Sequence, residues 1–356
     1  MKKTIAKIIS LIAVMAMLAS LAIPAQAAAK PEFMLALGDS ITTGFGLENY
    51  FEGDDAYECD SYITLVANAM GLVPKESYVN KAINGATSAD LLENLPDLSR
   101  QLDYADLIVV TIGGNDLLGA VPIVASGISG KNITSLGSAI DVLTAATPAD
   151  FAALSNNANF QRQMGSVLTK FAANLAGIAA IIKTGAPDAR VIFLKQYNPM
   201  KNVIGFGDFG NFADTLIGTL NASIEQVCAA SGFEVLDAPS VIDINAVGLT
   251  NMLNYDIHPN AAGHLELAKL LASHLGISLD ASENSFDEAT TAVPETEPET
   301  EPETEPETTP SADVTESDVT TKVEEEKKSG CASVIGGGTV LLISVCALVV
   351  LKKKKD

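Results

Sequence analysis

Short apolar runs alternate with longer segments of helical periodicity from residue 33 to residue 275. One run, Asp106–Ile112 (DLIVVTI), has no polar alternation, which is typical of a strand buried on both faces. The strands predicted from these runs are Phe33–Leu37, Tyr78–Ile83, Asp106–Ile112, Arg190–Gln196 and Phe233–Leu236. The predicted helices are Ser61–Met70, Ser88–Leu95, Phe160–Thr184, Phe212–Ser231 and Asn260–Leu275. This alternation predicts an α/β fold with a parallel five-stranded sheet and helices on both faces.

Three polar loops that contain glycine follow the first three predicted strands. They are Gly38-Asp39-Ser40, Asn84 to Ser88 (NGATS) and Gly113 to Asp116 (GGND). In parallel sheets of this type, ligands bind outside the carboxyl ends of the strands. We therefore expect the three loops to line one edge of the sheet and to form the functional site.

Ser40 is a candidate nucleophile, because its hydroxyl stands directly after a buried strand on what reads as a tight corner. A serine hydroxyl is weakly nucleophilic unless a base takes its proton. The chain has three histidines. His264 and His274 lie within the last helical pattern, where we expect His264 to pack or cap, whereas His258 lies in the preceding loop (YDIHPNAAGH). Position and elimination make His258 the candidate base, and the alternative is a turn histidine ahead of a helix cap.

Acyl transfer also needs hydrogen-bond donors for an oxyanion. The candidates are the backbone N–H groups of Ser40 and Gly85 and the side-chain amide of Asn115. A glycine at position 85 permits close backbone approach and unusual φ values. Taken singly, each feature has an ordinary structural explanation as a turn or a helix cap, but together they follow three successive strands. Asp39 and Asp116 are expected to hold their loops in shape by hydrogen bonds rather than to transfer protons.

Four blocks of the chain together resemble the SGNH hydrolases, also called GDSL-type esterases and lipases. The blocks are LGDSITTGFG, the Gly85 loop, IGGNDL and HPNAAGH, and they follow the family's order within residues 30–275. The resemblance implies Ser40 as nucleophile, His258 as general base, and Ser40, Gly85 and Asn115 as the oxyanion hole. It also implies a flavodoxin-like three-layer α/β/α sandwich that needs no metal or other cofactor.

The block around His258 departs from the family's pattern. The family places an aspartate three residues before the histidine, where this chain has Tyr255, and Asp256 stands two residues before it. The acid holds the imidazole in one tautomer and stabilises the imidazolium. Asp256 is the candidate for this role through a shortened loop. The alternatives are a backbone carbonyl, another acid in its place, and Asp256 as an ordinary surface acid.

The two ends of the chain carry features of targeting segments. Residues 1–29 have the basic, apolar and small-residue order of a secretory signal peptide. Residues 331–356 contain the uncharged run Ala332–Leu351 and then four lysines, which predicts one membrane span with a cytoplasmic tail. Residues 282–330 repeat Pro-Glu-Thr-Glu and contain 16 acidic and 3 basic side chains, which predicts an extended linker. The sequence thus predicts a hydrolase domain over 30–281 at the extracellular face of the cell membrane.

The net charge of the chain disfavours some classes of binding partner. The formal net charge is −22 and the body itself is acidic, which disfavours nucleic acid and anionic membrane surfaces. The GDSITTGFG segment also lacks the GxGxxG and GxxxxGK spacings of phosphate-binding loops. The predicted partners are an ester substrate, either a small molecule, a glycan or a lipid, and the membrane through the C-terminal segment.

Two long insertions, Gly44–Asp60 and Gly119–Asn159, stand beside the predicted site and are candidates for a lid or for a wall of an acyl pocket. Aromatic residues make up 5% of the chain and Trp is absent, which argues mildly against a sugar-stacking platform. Short-chain esters, acetylated glycans and lipids all stay open as substrates. The pairing of Cys59 with Cys228 also stays open, because a disulfide needs a short Cα–Cα distance that the sequence does not give.

Two functions of different classes fit the sequence. The first is an extracellular, surface-tethered serine esterase that forms an acyl-enzyme on Ser40. The second is a catalytically impaired surface binding or adhesion module that has kept the fold, which the displaced acid and the tether favour. A binding module, however, has no need of Ser40, Gly85, Asn115 and His258 together. An intracellular thioesterase conflicts with the predicted signal peptide.

Overall fold

The computed structural model describes residues 31–50 and 57–279. The predicted signal peptide (1–29), linker (282–330) and membrane anchor (331–356) lie outside these residues, so all three stay predictions. Residues 51–56 of the first insertion lie outside them as well. The rest of the insertion and nearly all of the predicted hydrolase body are described.

The centre of the fold is a five-stranded sheet in which every neighbouring pair of strands is parallel. The strands are β1 Met34–Gly38, β2 Tyr78–Asn80, β3 Leu107–Thr111, β4 Arg190–Leu194 and β5 Glu234–Leu236. Their order is β2-β1-β3-β4-β5, so the direction of winding reverses between β1 and β3. This order is that of flavodoxin-like sheets, whose ligands bind at the reversal. The predicted parallel sheet is therefore confirmed.

Helices cover both faces of the sheet. They are α1 Ser40–Thr43, α2 Tyr62–Ala69, α3 Ser88–Asn94, α4 Ser99–Tyr104, α5 Gly114–Leu118, α6 Val121–Ser129, α7 Leu136–Ala145, α8 Pro148–Ser155, α9 Ala158–Gly185, α10 Gly207–Ser231, α11 Pro239–Ile242, α12 Ala246–Leu249 and α13 Ala261–Leu275. One apolar core lies between the sheet and α2 and α13, and the other between the sheet and α3, α9 and α10. Alternate residues of β3 enter the two cores, Val109 the first and Ile108 the second, which explains its unbroken apolar sequence.

Some element bounds differ from the sequence-based prediction. The second strand ends at Asn80 rather than Ile83, and the Ala82 N–H donates to the Asn80 side chain. The Lys81 and Ile83 N–H groups still donate to the Ala36 and Gly38 carbonyls of β1. Helix α10 begins at Gly207 rather than Phe212. The second insertion is almost entirely helical, since it contains α6, α7 and α8. We call the apolar core that these helices share with α9 and the start of α10 the insertion cluster, which includes Val124, Leu143, Phe151, Phe160 and Phe209.

Helix α9 is long and apolar enough to cross a membrane by length and composition, and it is the one such helix among residues 31–50 and 57–279. Its buried side chains, among them Phe171, Leu175 and Ile178, lie in the core against the sheet. Packing of this kind is what a core helix of an α/β fold requires, so α9 gives no support to a membrane span.

The two cysteines of the body occupy different surroundings. The Cys59 thiol donates to the Thr43 carbonyl at 3.6 Å, whereas Cys228 is buried in the core under α10. The described part of the chain contains no disulfide. Burial raises the pKa of the Cys228 thiol to about 12, so this thiol stays protonated and unreactive at neutral pH.

His264 on α13 is fully buried against α2, as the sequence analysis expected of a packing histidine. Its Nδ1 accepts a hydrogen bond from the Tyr62 N–H at 3.1 Å, and its ring stacks on the Tyr62 ring with a centroid distance of 6.2 Å. The Nε2 atom has no hydrogen-bond partner among the described residues. Burial lowers the pKa of His264 from 6.5 to about 3, so the folded protein holds it neutral.

His264→Asn is expected to remove a pH-dependent loss of stability. Below pH 6.5 the unfolded chain binds a proton at His264 and the folded chain does not, so this site loses about 2 to 3 kcal/mol of unfolding free energy between pH 7.5 and pH 4.5. Burial raises the pKa of Asp39 and Asp243 to about 6, which acts in the opposite direction. The test is therefore the difference in unfolding free energy between wild type and variant, from urea titrations at both pH values. A difference that does not change with pH would contradict the prediction.

Candidate active site

The corner after β1 is built by a glycine and an aspartate. Gly38 has φ +129°, and a Cβ there would lie 1.9 Å from the Thr111 carbonyl oxygen on the neighbouring strand. Only glycine fits this close approach. Asp39 then caps the short helix α1, because its Oδ1 accepts the Ile41 N–H at 3.1 Å. The result is a sharp strand-to-helix turn that presents Ser40 at the carboxyl edge of the sheet.

Asp39 is the centre of a buried hydrogen-bond network beneath Ser40. Its Oδ1 accepts from the Thr111 hydroxyl at 2.9 Å, and that hydroxyl lies 2.7 Å from the Thr42 hydroxyl, which in turn lies 2.8 Å from the Tyr62 hydroxyl. Burial raises the pKa of Asp39 to about 6, against the opposing effect of the hydrogen bonds from Thr111 and Ile41. Asp39 thus holds the loop in shape, as the sequence analysis expected.

Ser40, His258 and Asp256 form a connected row of side chains. The Ser40 Oγ lies 2.8 Å from His258 Nε2, and His258 Nδ1 lies 2.5 Å from Asp256 Oδ1. Ser40 and His258 are buried, with exposed fractions of 9% and 7%. The structure therefore brings together, across 218 residues of sequence, the hydroxyl, imidazole and carboxylate that the sequence analysis selected. Such a row can pass a proton from the hydroxyl to the imidazole while the carboxylate orients the ring.

The shortened loop places Asp256 through two local features. Tyr255 has a left-handed φ of +60°, which is uncommon for a residue with a side chain and turns the chain sharply before Asp256. Asp256 Oδ1 then accepts the His258 N–H at 3.1 Å as well as contacting Nδ1. This is the Asx-turn geometry of an aspartate bonded to the backbone two residues on. An aspartate two residues before the histidine can therefore contact the imidazole of His258.

The charge state of Asp256 follows from these contacts. Burial alone would raise its pKa, but the hydrogen bonds and the charge of His258 hold the pKa of this carboxyl below its ordinary value of 3.8. Asp256 is therefore ionised at neutral and mildly acidic pH. An ionised carboxylate accepts hydrogen bonds only, so it favours the tautomer with a proton on Nδ1, which leaves Nε2 to accept from Ser40.

Gly85 on the loop after β2 and Asn115 in the first turn of α5, which follows β3, line one cavity together with Ser40. Gly85 has φ +75°, a conformation that favours glycine. One N–H of the Asn115 amide donates to the Ala86 carbonyl at 2.9 Å, which fixes the amide beside the Gly85 loop. On the other side, the Thr43 hydroxyl donates to Asn84 Oδ1 at 2.6 Å. The three loops are thus tied to one another.

Asp116 fastens the loop after β3 to the start of α3. Its two carboxylate oxygens accept the Ser88 N–H at 2.9 Å and the Ser88 hydroxyl at 2.6 Å. Burial raises the pKa of Asp116, and the hydrogen bonds from Ser88 oppose that shift. Asp116 therefore positions the two segments, as predicted. Its hydrogen bonds go to Ser88 and not to Ser40, His258 or Asp256.

Several residues of the site were not predicted from the sequence. The Phe45 ring packs on the His258 ring with a centroid distance of 4.8 Å, and the Tyr197 hydroxyl donates to the Ile257 carbonyl beside His258 at 2.9 Å. Phe45 lies in the first insertion, so its position beside a predicted site was a usable signal. The loop Tyr197–Phe206 follows β4 as the other site loops follow β1 to β3, but it lacks a recognisable motif.

Ser40 and His258 stand in a cavity of about 450 Å³. The polar lining of the cavity includes Asn84 after β2, Asn115 in α5 and Asp256 ahead of α13. Most of the remaining lining is apolar and comes from α5 to α7, from the loop after β4 and from α10. Within the described ranges, no group of three or more His, Cys, Asp or Glu side chains is arranged to hold a metal ion. That the site needs no cofactor stays a prediction.

Comparison with known proteins gives a family and a fold. The sequence model described as GDSL-like Lipase/Acylhydrolase family matches residues 36–265. An extracellular lipase from Streptomyces rimosus is 20% identical with a TM-score of 0.50, over 67% of this chain and 98% of the lipase. A phospholipase A1 from Streptomyces albidoflavus is 20% identical with a TM-score of 0.48, over 68% of this chain and 99% of its own.

A third solved structure, an acetylxylan esterase from Geobacillus stearothermophilus, is 18% identical with a TM-score of 0.46. It is matched over 97% of its length and over 70% of this chain. No curated protein sequence compared with the chain matches it. The lipase from Streptomyces rimosus, at a TM-score of 0.50, shows the shared α/β fold, and an identity of 20% does not identify the ester that this chain hydrolyses.

Proposed function

Since the chain belongs to the GDSL-like lipase/acylhydrolase family and is a serine ester hydrolase, we propose that Ser40 is its nucleophile, with His258 as general base and Asp256 as the acid that orients His258. The observation that carries the proposal is the continuous row Ser40 Oγ–His258 Nε2 (2.8 Å) and His258 Nδ1–Asp256 Oδ1 (2.5 Å). A binding module would gain nothing from this row, so the geometry favours the esterase over the adhesion module.

The proposed reaction has two halves that share one proton route. The Ser40 oxygen attacks the ester carbonyl while its proton passes to His258 Nε2. The tetrahedral intermediate collapses, the alcohol leaves with that proton, and Ser40 carries the acyl group. Water then attacks the acyl-enzyme, with His258 again as base, and the carboxylic acid is released. Asp256 stays ionised throughout and stabilises the imidazolium.

The proposed oxyanion hole consists of the N–H groups of Ser40 and Gly85 and the side-chain amide of Asn115. Ser40 stands at the start of α1, where N–H groups have no helical partner and point outward. The hydrogen bond from Asn115 to Ala86 O uses one of the two amide N–H groups and holds the other in a fixed direction. Donors fixed before the reaction cost no reorganisation when charge develops.

We further propose that the enzyme acts at the extracellular face of a cell membrane. The signal-peptide pattern of residues 1–29, the acidic linker 282–330 and the apolar run in 331–356 support this placement. The acidic net charge of −22 suits a secreted domain that must stay soluble. The hydrolase domain proposed for 30–281 would then stand away from the membrane on an extended tether.

A fluorophosphonate probe tests the nucleophile directly, because an activated serine displaces fluoride and keeps the phosphonyl group on its oxygen. We expect wild-type protein that hydrolyses p-nitrophenyl acetate to lose activity on labelling. Mass spectrometry of the tryptic digest should place the label on the peptide that contains Ser40. Heat-denatured protein serves as the control and should stay unlabelled. Complete labelling of another serine with loss of activity would refute Ser40 as the nucleophile.

A further inference from the structure

We propose that the ester hydrolysed at this site carries an aliphatic acyl chain of medium length, and that the cavity beside Ser40 binds this chain. The inference rests on the proposed function and goes beyond it, because the family description covers lipases and acylhydrolases and does not fix the acyl group. It also assigns the chain-length preference to the second insertion and to α10, which wall the cavity.

The cavity combines a polar group of residues around Ser40 with a mainly apolar lining. The end that contains Ser40 also contains Asn84, Asn115 and Asp256, which are fixed by the hydrogen bonds described above. The rest of the lining comes mainly from Leu, Ile, Val, Met, Ala and Phe side chains. No Lys or Arg of the described residues lines the cavity. An uncharged hydrocarbon chain next to a reactive ester is the ligand shape that matches this arrangement.

Helix α7 turns one apolar face toward the cavity. Leu136, Ile140 and Leu143 all line it, and their spacing of four and three residues puts them on one side of the helix. Asp141, the neighbour of Ile140, is exposed instead. Leu216 on α10 also lines the cavity and is half-buried, as Leu136 and Ile140 are. Aliphatic side chains that border an open space gain free energy when an apolar group fills it.

The walls of the cavity have their own support. Ala139 and Leu143 of α7 are buried in the insertion cluster beside Phe151 and Phe209. The same helix therefore packs on this cluster and lines the cavity, so the wall is held by a core that is separate from both sheet faces. A pocket that exists before binding loses less free energy to ordering when the ligand enters.

The size of the cavity sets the length of the chain. A methylene group occupies about the volume of a water molecule in the liquid, ~30 Å³. A cavity of about 450 Å³ thus accepts an acyl chain of roughly 8 to 12 carbons and leaves room near Ser40 for the ester group. An acetyl group would leave most of the apolar surface without contact. A sugar in its place would leave hydroxyl groups without hydrogen-bond partners along the apolar walls.

The first experiment measures kcat/KM of the full-length chain for p-nitrophenyl acetate, butyrate, octanoate and dodecanoate, each below its micelle-forming concentration. We expect octanoate to exceed acetate by at least about 30-fold, since each buried methylene contributes up to roughly fourfold. Ile140→Trp fills the cavity and is expected to lower the octanoate-to-acetate ratio by about tenfold or more. Asp141→Trp adds the same ring on the exposed side of α7 and should keep the wild-type ratio within about twofold.

Two further measurements test the proposal independently of Ile140→Trp and of catalysis. Leu216→Trp adds a ring to α10, which also lines the cavity, and should lower the same ratio. This variant replaces Ile140→Trp if circular dichroism shows that Ile140→Trp does not fold. Binding of sodium dodecanoate to Ser40→Ala, measured by titration calorimetry below its critical micelle concentration, reads the cavity without catalysis. We expect binding that is at least about tenfold weaker when Ile140→Trp is added to Ser40→Ala.

The outcomes separate this proposal from the proposed function. Hydrolysis that depends on Ser40 but does not rise from acetate to octanoate would overturn the acyl-chain assignment and leave the esterase intact. Failure to hydrolyse any of the four esters, with dodecanoate still bound in the cavity, would overturn the proposed function and support the cavity's role. Absence of dodecanoate binding would overturn the acyl-chain assignment irrespective of the activity.

Discussion

Replacing Ser40 with alanine is expected to lower kcat for p-nitrophenyl acetate by about 10⁴- to 10⁶-fold, to the level given by binding and the oxyanion donors alone. The physical reason is that the Ser40 oxygen forms the acyl-enzyme. In the described site, no other nucleophilic group is hydrogen-bonded to His258 Nε2 and could replace it. Removal of this oxygen leaves only direct attack by water. The measurement is burst and steady-state release of p-nitrophenol from the full-length chain.

In the same assay we expect Ser40 and His258 to contribute to one and the same step, the attack on the ester. His258→Ala alone is expected to cost about as much as Ser40→Ala, because a serine without a base is a weak nucleophile at neutral pH. The double variant should then be no worse than either single variant, since both remove the same step. Ser240→Ala, which removes a hydroxyl from an exposed serine elsewhere on the chain, is the matched control and should keep wild-type kcat. Effects of the two single variants that multiply in the double variant would contradict the shared step.

The second large effect is expected at the position where the chain departs from the family's spacing. Asp256→Asn should lower kcat by about 10³- to 10⁴-fold with a much smaller change in KM. An amide in this place can turn its NH₂ toward His258 Nδ1, which then becomes an acceptor and moves the ring proton to Nε2. A protonated Nε2 cannot take the proton of Ser40. The three side chains would keep their positions, but the proton of Ser40 could no longer transfer to His258.

A matched variant distinguishes this effect from a general loss of negative charge. Asp237→Asn removes an exposed carboxylate that pairs with Lys195. The two residues directly follow β5 and β4, and neither lines the cavity, so this variant should leave kcat unchanged. The ratio of kcat for the two variants is the measurement. A loss of less than about tenfold in Asp256→Asn would mean that a backbone carbonyl or another acid orients His258, the alternative that the sequence leaves open.

Much of the fold was predictable because the strands are short and their signals are strong. The unbroken apolar run around β3 required burial on both faces, and burial on both faces required helices on both sides of a parallel sheet. The Ser40, Gly85 and Asn115 loops follow consecutive strands, so their meeting at one edge followed from topology alone. His258 followed from elimination, since the other two histidines fall within helix α13.

The sequence did not predict the parts of the site that depend on packing between distant segments. Whether Asp256 reaches His258 depends on the left-handed backbone of Tyr255 and on an Asx turn, and neither has a reliable signal in the sequence. The tilted ring contact of Phe45 with the imidazole and the network from Asp39 to Tyr62 join residues that are far apart along the chain. The cavity wall likewise depends on how α7 packs on the insertion cluster.

The sequence by itself therefore determined the class of fold, the nucleophile and base candidates, and the edge of the sheet at which they meet. These properties follow from hydrophobic periodicity and from strand order, which are local or topological. The tertiary structure decided that Asp256 contacts His258, that Cys59 and Cys228 do not bond to each other, and that the second insertion walls an apolar cavity. These depend on distances of a few ångströms between segments far apart in the chain, which are fixed only when the cores have packed.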